Sequence, residues 1–207
     1  MPKAGGTSFK SYLKNTFSEK LYLDYTDFPD HLTDLEIIKL IEKYSSFYYP
    51  FKKTYFDWKG KKIFHGHFLA KKYECYLENK NTVFMTWLRD PLERLASQYY
   101  YWKRTYNNRS LPFHREVIEN NWSFEKFCFS EQMRNLYSKF LVNFPIQNFD
   151  FIGIVEYIEE DFKFLSENIL EQPNSRLENL NSNPEISKSY FENCDYYEEL
   201  KKHHSKD

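Results

Sequence analysis

Thr82-Val83-Phe84-Met85-Thr86-Trp87-Leu88-Arg89-Asp90-Pro91-Leu92-Glu93-Arg94-Leu95-Ala96-Ser97-Gln98-Tyr99-Tyr100-Tyr101-Trp102 decides the fold of this 207-residue chain. Its first seven residues form a largely apolar run of strand length, the kind buried on both faces of a parallel sheet. Asp90 follows as an N-cap and Pro91 as the first helical residue, so the strand passes directly into a helix. The helix carries Leu92, Leu95, Ala96 and Tyr99 on one face and Glu93, Arg94, Ser97 and Tyr101 on the other. Arg89 leaves the strand at its carboxyl end, where open α/β sheets bind ligands.

Ser97 lies about two turns into the helix, roughly 10 Å in rise from Asp90. A guanidinium lying back along the helix could share one phosphate with that hydroxyl, because its planar fork pairs with phosphate oxygens and keeps its charge. The plainer alternative is a structural ion pair for Arg89 and an ordinary helix-surface position for Ser97.

A second anion signature opens the chain: Met1-Pro2-Lys3-Ala4-Gly5-Gly6-Thr7-Ser8-Phe9. Adjacent glycines can take the positive φ that curls backbone N–H groups around an anion. Thr7 and Ser8 begin a helix reaching Phe17, whose unpaired N–H groups and dipole favour the same anion. Lys3 adds charge. This is not a Walker A loop, since the lysine precedes the glycines; an ordinary helix start is the alternative. Such loops hang from the carboxyl end of a parallel strand. Almost nothing precedes Pro2, so the expectation is that the natural product begins earlier and supplies a first strand absent from this chain.

Between and beyond these stretches, Ser18 to Leu32 reads as a polar, aromatic connection, and Thr33-Asp34-Leu35-Glu36 as a capping box opening a helix to about Ser46. Tyr55–Trp58 and Lys61–Phe64 flank Gly60 as a hairpin or successive short strands, and Ile63 to Phe68 reads as a strand running into a turn. Residues 103–115 are basic and turn-rich. Ser123 starts a helix extending to about Val142, Phe149 to Val155 is a second buried strand, and a helix follows to about Asn168. Asn183-Pro184 caps a last helical region before a charged tail, Lys201 to Asp207. Strands alternating with helices predict one α/β domain over 1–207, a three-layer P-loop-type fold with a mostly parallel central sheet flanked by helices. Within it, 1–17 forms the first phosphate loop and helix and 82–104 the second phosphate strand and helix, while 172–207 has no assignment.

The net charge of −1 gives no global pull towards nucleic acid, so attraction to an anionic ligand must be local. Three scattered cysteines, Cys75, Cys128 and Cys194, argue against a disulfide framework and for a reducing, cytoplasmic setting. No apolar run approaches the roughly 18 residues a membrane span needs. Aromatic residues make up 20% of the chain, which reads as compositional bias alongside its abundant Lys and Asn, and not as an aromatic binding surface.

Together the two phosphate stretches resemble the sulfotransferases that use 3′-phosphoadenosine 5′-phosphosulfate (PAPS), closest to the carbohydrate branch that includes heparan sulfate and uronyl 2-O-sulfotransferases. Lys3, Gly5, Gly6, Thr7 and Ser8 match that family's 5′-phosphosulfate loop, with Ala4 between them. Arg89, Asp90, Pro91, Arg94 and Ser97 match its 3′-phosphate segment, with Gln98 a departure from the following pattern. His65-Gly66-His67 matches a His-Gly-His segment of the branch, and Phe151 to Glu156 its late strand. The likeness runs from Pro2 to about Leu170.

The resemblance implies sulfuryl transfer from PAPS, leaving PAP, to a saccharide or glycan hydroxyl, with no metal. His67 takes the place of the family's general base. Histidine suits the task because its pKa of about 6.5 leaves it mostly neutral near pH 7. His65 shares its strand face and would orient or assist, and Lys3 would neutralise charge on the leaving oxygen. A metal-binding or purely structural His-x-His pair remains an alternative. His31, His114, His203 and His204 read as surface residues. Lys103, Arg104, Arg109 and Arg115, and a cluster of Lys52, Lys53, Lys59, Lys61 and Lys62, could meet acidic groups of a glycan or simply be solvated. A silent PAP- or nucleotide-binding module, or a P-loop kinase, are the competing functions; a kinase would need magnesium and a Walker-type loop.

Overall fold

A computed structural model of the chain describes residues 1–45, 62–178, 191 and 194–207. Lys3 and Gly5 stand at φ 59° and 70°, the left-handed region, so the backbone turns sharply before helix α1 (Gly6–Phe17). A side chain at Gly5 would be strained by that φ and would press on Ile158 at 3.0 Å. Phe9, Tyr12 and Leu13 form the buried stripe of α1.

The expected connection after α1 contains a strand, β1 (Leu21–Asp24). Its polar end is held by contacts distant in sequence: Asp24 accepts from Lys72 Nζ at 2.6 Å and from the Tyr73 hydroxyl at 2.7 Å. Thr33 caps α2 (Asp34–Lys43) through the expected box, its N–H donating to Glu36 Oε2 at 2.8 Å. The proposed hairpin around Gly60 falls largely outside the described residues. Strand β2 (Ile63–Gly66) runs parallel to β1, pairing Leu21 with Ile63 through Asp24 with Gly66. Gly66 is obligatory there: a Cβ would sit 1.5 Å from the Asp24 carbonyl oxygen.

Strand β3 (Met85–Leu88) is shorter than the apolar run around it. The Asp90 carboxylate accepts from the Leu92 and Glu93 N–H groups at 3.0 and 2.9 Å, starting α3 (Pro91–Thr105) with Pro91 at the first position. The stretch read as turn-rich ends in a helix of its own, α4 (Pro112–Glu119). Ser123 caps α5 (Phe124–Cys128) as expected, but the helix stops after five residues. The Ser130 hydroxyl donates to the Phe127 carbonyl at 2.6 Å, and Asn135 takes φ 47° before a separate α6 (Leu136–Phe140). Strand β4 (Phe151–Ile154) lies parallel to β3, Met85 opposite Phe151 and Leu88 opposite Ile154, with the Trp87 ring over Gly153. Helix α7 (Ile158–Asn168) follows.

The C-terminal residues are no solvated tail. They form α8 (Tyr197–His203) and then dock against α6: Ser138 N–H donates to Asp207 Oδ1 at 3.0 Å and its hydroxyl to the Lys206 carbonyl at 2.6 Å. His204 is buried, receiving the Asn135 N–H on Nδ1 and contacting the Cys128 carbonyl through Nε2 at 2.9 Å. His114 is buried too, against the Trp102 carbonyl, and His31 stacks on the Trp102 ring with a centroid separation of 4.9 Å. The surface assignment for these histidines is therefore corrected: each fills a slot beside an indole or carbonyl, where a neutral ring packs without a desolvated charge.

The fold is mixed α/β, and its described strands pair as two parallel two-stranded sheets instead of one central sheet. One core forms where Phe9, Leu13, Leu21, Trp87, Phe151 and Leu165 meet. A second gathers Leu95, Trp102, Val117, Phe127, Met133 and Leu200 around α3. Among the described residues no disulfide forms and no helix is long and apolar enough to cross a membrane.

Candidate functional site

Helix α3 presents Glu93, Ser97 and Tyr101 one turn apart, and cations bracket that face. At its start, an Arg89 terminal nitrogen stands 3.6 Å from Glu93 Oε2. At its far end, Lys3 Nζ sits 3.9 Å from the Tyr101 ring centroid, a cation–π contact. Ser97, half-buried, lies between, and the eight residue steps from Glu93 to Tyr101 span about 12 Å along the axis. The two phosphate stretches of the sequence thus meet on one helix face. The contact with Glu93 is the ion pair that the plainer alternative expects of Arg89.

The electrostatics of this face are cationic. Burial, then the positive charges of Arg104 and Arg89, push the Lys3 ammonium down to about 8. Arg89 itself is fixed through its backbone. The Tyr137 hydroxyl accepts from its N–H at 3.0 Å and donates to its carbonyl at 2.8 Å.

Arg94 departs from expectation. The helical wheel sets it beside Ser97 on the polar face, yet it is fully buried, with its guanidinium 5.9 Å from the Tyr137 ring centroid. Its Nε and both terminal nitrogens have no hydrogen-bond partner among the described residues. Gln98 is buried as well and donates to Asp30 Oδ2 at 3.5 Å. Helix α3 is therefore wrapped on more sides than its sequence pattern suggests, because the 29–31 turn covers part of the polar face.

His65 lies in β2 opposite Leu23, and His67 follows just beyond the strand. Both turn towards Tyr25: its hydroxyl is 3.4 Å from His65 Nδ1, and its ring meets that of His67 edge-on at 5.0 Å. The predicted shared face is present. Burial, then the Met1 α-ammonium and Lys10, bring His65 down to about 4. Burial, the same ammonium and His65 push His67 well below its ordinary value. Both rings are neutral at pH 7. The shared influence of the Met1 ammonium places the histidines next to the opening loop.

Ala4 is buried, while Thr7 is exposed at the loop rim and Ser8 is half-exposed. Lys52, Lys53, Lys59 and Lys61 fall outside the described residues; Lys62 is exposed. Among the described residues, no group of three or more His, Cys, Asp or Glu is placed to hold a metal ion. Sequence reasoning missed Tyr25, Asp30 and Tyr137. In a chain this rich in tyrosine, neither Tyr25 nor Tyr137 carries a local signal.

Fold and site define a parallel-stranded α/β protein with a cationic helix face and a pair of buried, neutral histidines. Over 102 residues, 49% of this chain and 67% of the other, it is 31% identical to an uncharacterized protein of Archaeoglobus fulgidus, and it belongs to that protein's family. No family model and no solved structure matches the chain.

Proposed function

We propose that the protein is a sulfotransferase that moves the sulfuryl group of PAPS to a saccharide or glycan hydroxyl, on a three-layer P-loop-type fold. The observation that carries this reading is the bracketing of one α3 face by Lys3 and Arg89, with Ser97 between them. Two anion-binding groups a helix-turn or two apart suit a nucleotide phosphorylated at both ends. The residues fit that ligand: the left-handed φ at Lys3 and Gly5 turns the loop at the amino end of α1, and Arg104 and Arg89 are close enough to depress the Lys3 ammonium. Lys3, Ala4, Gly5, Gly6, Thr7 and Ser8 hold the 5′ end, and Arg89 with Ser97 the 3′-phosphate.

Bound there, PAPS supplies an activated sulfuryl group. His67, neutral at working pH, accepts the proton of the acceptor hydroxyl through an unprotonated ring nitrogen. Tyr25 orients His65 and packs on His67. Lys3 places positive charge at the bridging oxygen of the nucleotide.

Incubation with sulfur-labelled PAPS and a panel of glycans tests the reading. His67→Ala should abolish label transfer and leave PAP binding intact, and Arg89→Ala should weaken PAP more than adenosine 5′-phosphosulfate. Absence of any calorimetric heat with PAP would sink the proposal. The burial that depresses His67 also weakens it as a base, which favours a second reading: a module that binds the nucleotide without turnover. Binding without transfer to any acceptor would select it.

A further inference from the structure

A buried polar cluster at the carboxyl end of β1 ties residues 24–27 to Tyr44 and to residues 69–73. Asp24, the last residue of β1, is 1% exposed. Its Oδ2 accepts from Lys72 Nζ at 2.6 Å and from the Tyr73 hydroxyl at 2.7 Å, both on the 3-10 helix Ala70–Tyr76. Its Oδ1 accepts from the Thr26 hydroxyl at 2.7 Å. Lys72 Nζ also donates to Thr26 Oγ1 at 2.8 Å and lies 3.6 Å from Asp27 Oδ1. Asp27 in turn accepts from the Leu69 N–H at 2.9 Å and from the Tyr44 hydroxyl. Burial opposes the charge on Asp24, but the bonds from Lys72, Thr26 and Tyr73 outweigh it and hold the carboxyl below its ordinary value.

Two features set this cluster against the histidines. Asp24 stands opposite Gly66 in the parallel ladder, and Gly66 separates His65 from His67. The strands approach so closely there that a Cβ on Gly66 would come 1.5 Å from the Asp24 carbonyl oxygen. A displacement of Asp24 therefore passes directly into the histidine segment. Tyr25 follows Asp24 and lies between the two residues that Lys72 bonds. Its hydroxyl reaches His65 Nδ1 at 3.4 Å, a bond too long and weak to fix either ring by itself. Its ring, edge-on to His67 at 5.0 Å, is placed by the backbone it hangs from.

We propose that Asp24, gripped by Lys72 and Tyr73, is a positioning residue for the histidine pair: it fixes the backbone that carries Tyr25 and, across the ladder, the backbone that carries His65 and His67. It acts through these neighbours and not on a reacting atom. A buried ion pair adds little net stability over an apolar pair of similar volume. Three donors converging on one carboxylate do supply a fixed direction. A ring nitrogen aimed at a hydroxyl requires that. The placement stands on geometry; its consequence for turnover rests on the transferase reading of His67.

Asp24→Asn and Tyr73→Phe test this in the full chain, with the imidazole nitrogens followed by NMR across a pH titration. The charges acting on the two rings, the Met1 α-ammonium, Lys10 and His31, are untouched by both substitutions. By charge alone, Asp24→Asn should lower a nearby histidine pKa, since a carboxylate that favours imidazolium is lost, and Tyr73→Phe should do nothing. Loosened positioning acts in the opposite sense, because water reaches the rings. His65, natively at about 4, and His67 should then titrate higher. The expected rise is about one pH unit or more, a tenfold change in proton affinity. His114 and His204, packed on the Trp102 and Cys128 carbonyls, should not move. No shift, a fall, or an equal rise in all four rings would overturn the proposal; should Asp24→Asn fail to fold, Tyr73→Phe decides it. With PAPS and an acceptor, both variants should lower kcat about tenfold or more at unchanged PAP affinity, and parallel loss of PAP affinity would also overturn it. A native chain without transfer activity would fail the transferase reading alone, because the ring titrations still decide the positioning.

Discussion

The Tyr137 hydroxyl grips both main-chain groups of Arg89, accepting from its N–H at 3.0 Å and donating to its carbonyl at 2.8 Å. One side chain from α6 thereby fixes the residue where β3 hands over to α3. Burial, foremost, pushes the Tyr137 hydroxyl up to about 12, so it remains a donor at any working pH. The side chain of Arg89 is aimed by this clamp as well as by Glu93.

Tyr137→Phe should therefore cost both stability and ligand affinity. Two hydrogen bonds lost at a half-buried turn amount to about 1–2 kcal/mol. For a chain of this size that lowers Tm by roughly 2–8 °C. PAP affinity should fall several-fold by calorimetry. A variant with native Tm would show that water replaces the hydroxyl at no cost.

Gly66 and Gly6 offer a contrasting pair. A Cβ at Gly66 would come 1.5 Å from the Asp24 carbonyl oxygen, a backbone atom that cannot move without parting β1 from β2. At Gly6 the nearest atom outside the helix's own backbone is the Met1 carbonyl oxygen at 3.9 Å, so the space is open. Gly66→Ala should destabilise by at least about 3 kcal/mol, or prevent folding. Gly6→Ala should leave the urea midpoint nearly unchanged. Similar midpoints for the two variants would contradict the pairing of Asp24 with Gly66.

How much of this was written locally in the chain follows from where the signals lie. Asp90-Pro91 after an apolar run, and Thr33 with Glu36, are complete within a few residues, and both helix starts appear where expected. The four residues of β1 carry no such signal, because buried Asp24 is satisfied only by Lys72 and Tyr73, nearly fifty positions away. The docking of Asp207 on Ser138 is likewise a partnership across 69 residues. Arg94 read as part of the polar face since a helical wheel assumes one open side, and nothing near Gln98 in sequence announced its burial. On α3 that side is closed by residues 29–31. For the site, the His65–Gly66–His67 alternation was legible, whereas the Tyr25 ring that organises both histidines was not.

Histidine protonation should govern acid stability. All six histidines, His31, His65, His67, His114, His203 and His204, are pushed below their ordinary value, chiefly by burial. Unfolded, they titrate at about 6.5; folded, His65 and His204 titrate at about 4. Between those values the unfolded chain binds more protons, so stability rises with pH across that window and is lost as pH falls through it. Asp24 adds to the loss at still lower pH, because its carboxylate is depressed by Lys72, Thr26 and Tyr73 despite burial; Asp207, raised by burial, works the other way. Unfolding near pH 5.5 should take up more than about two protons, read from the slope of stability against pH. A flat profile from pH 7 to 5 would refute the packing of these rings.

Lys3 supplies a second pH dependence, of opposite sense and confined to ligand binding. Its ammonium titrates at about 8 because burial, Arg104 and Arg89 all oppose its charge. An anion bound beside it restores the charge and raises that value. Below pH 8 the lysine is already protonated and PAP binds at full strength. Above pH 8 the ligand must bring a proton with it, so affinity falls up to tenfold per pH unit until the bound-state pKa is reached. Calorimetry at pH 8 in buffers of different ionisation enthalpy should record net proton uptake of roughly half a proton on PAP binding. Lys3→Met removes the titrating group, weakens PAP at pH 7 and abolishes the uptake. Weakened binding with the uptake intact would assign the proton to another group and remove Lys3 from contact with the phosphates.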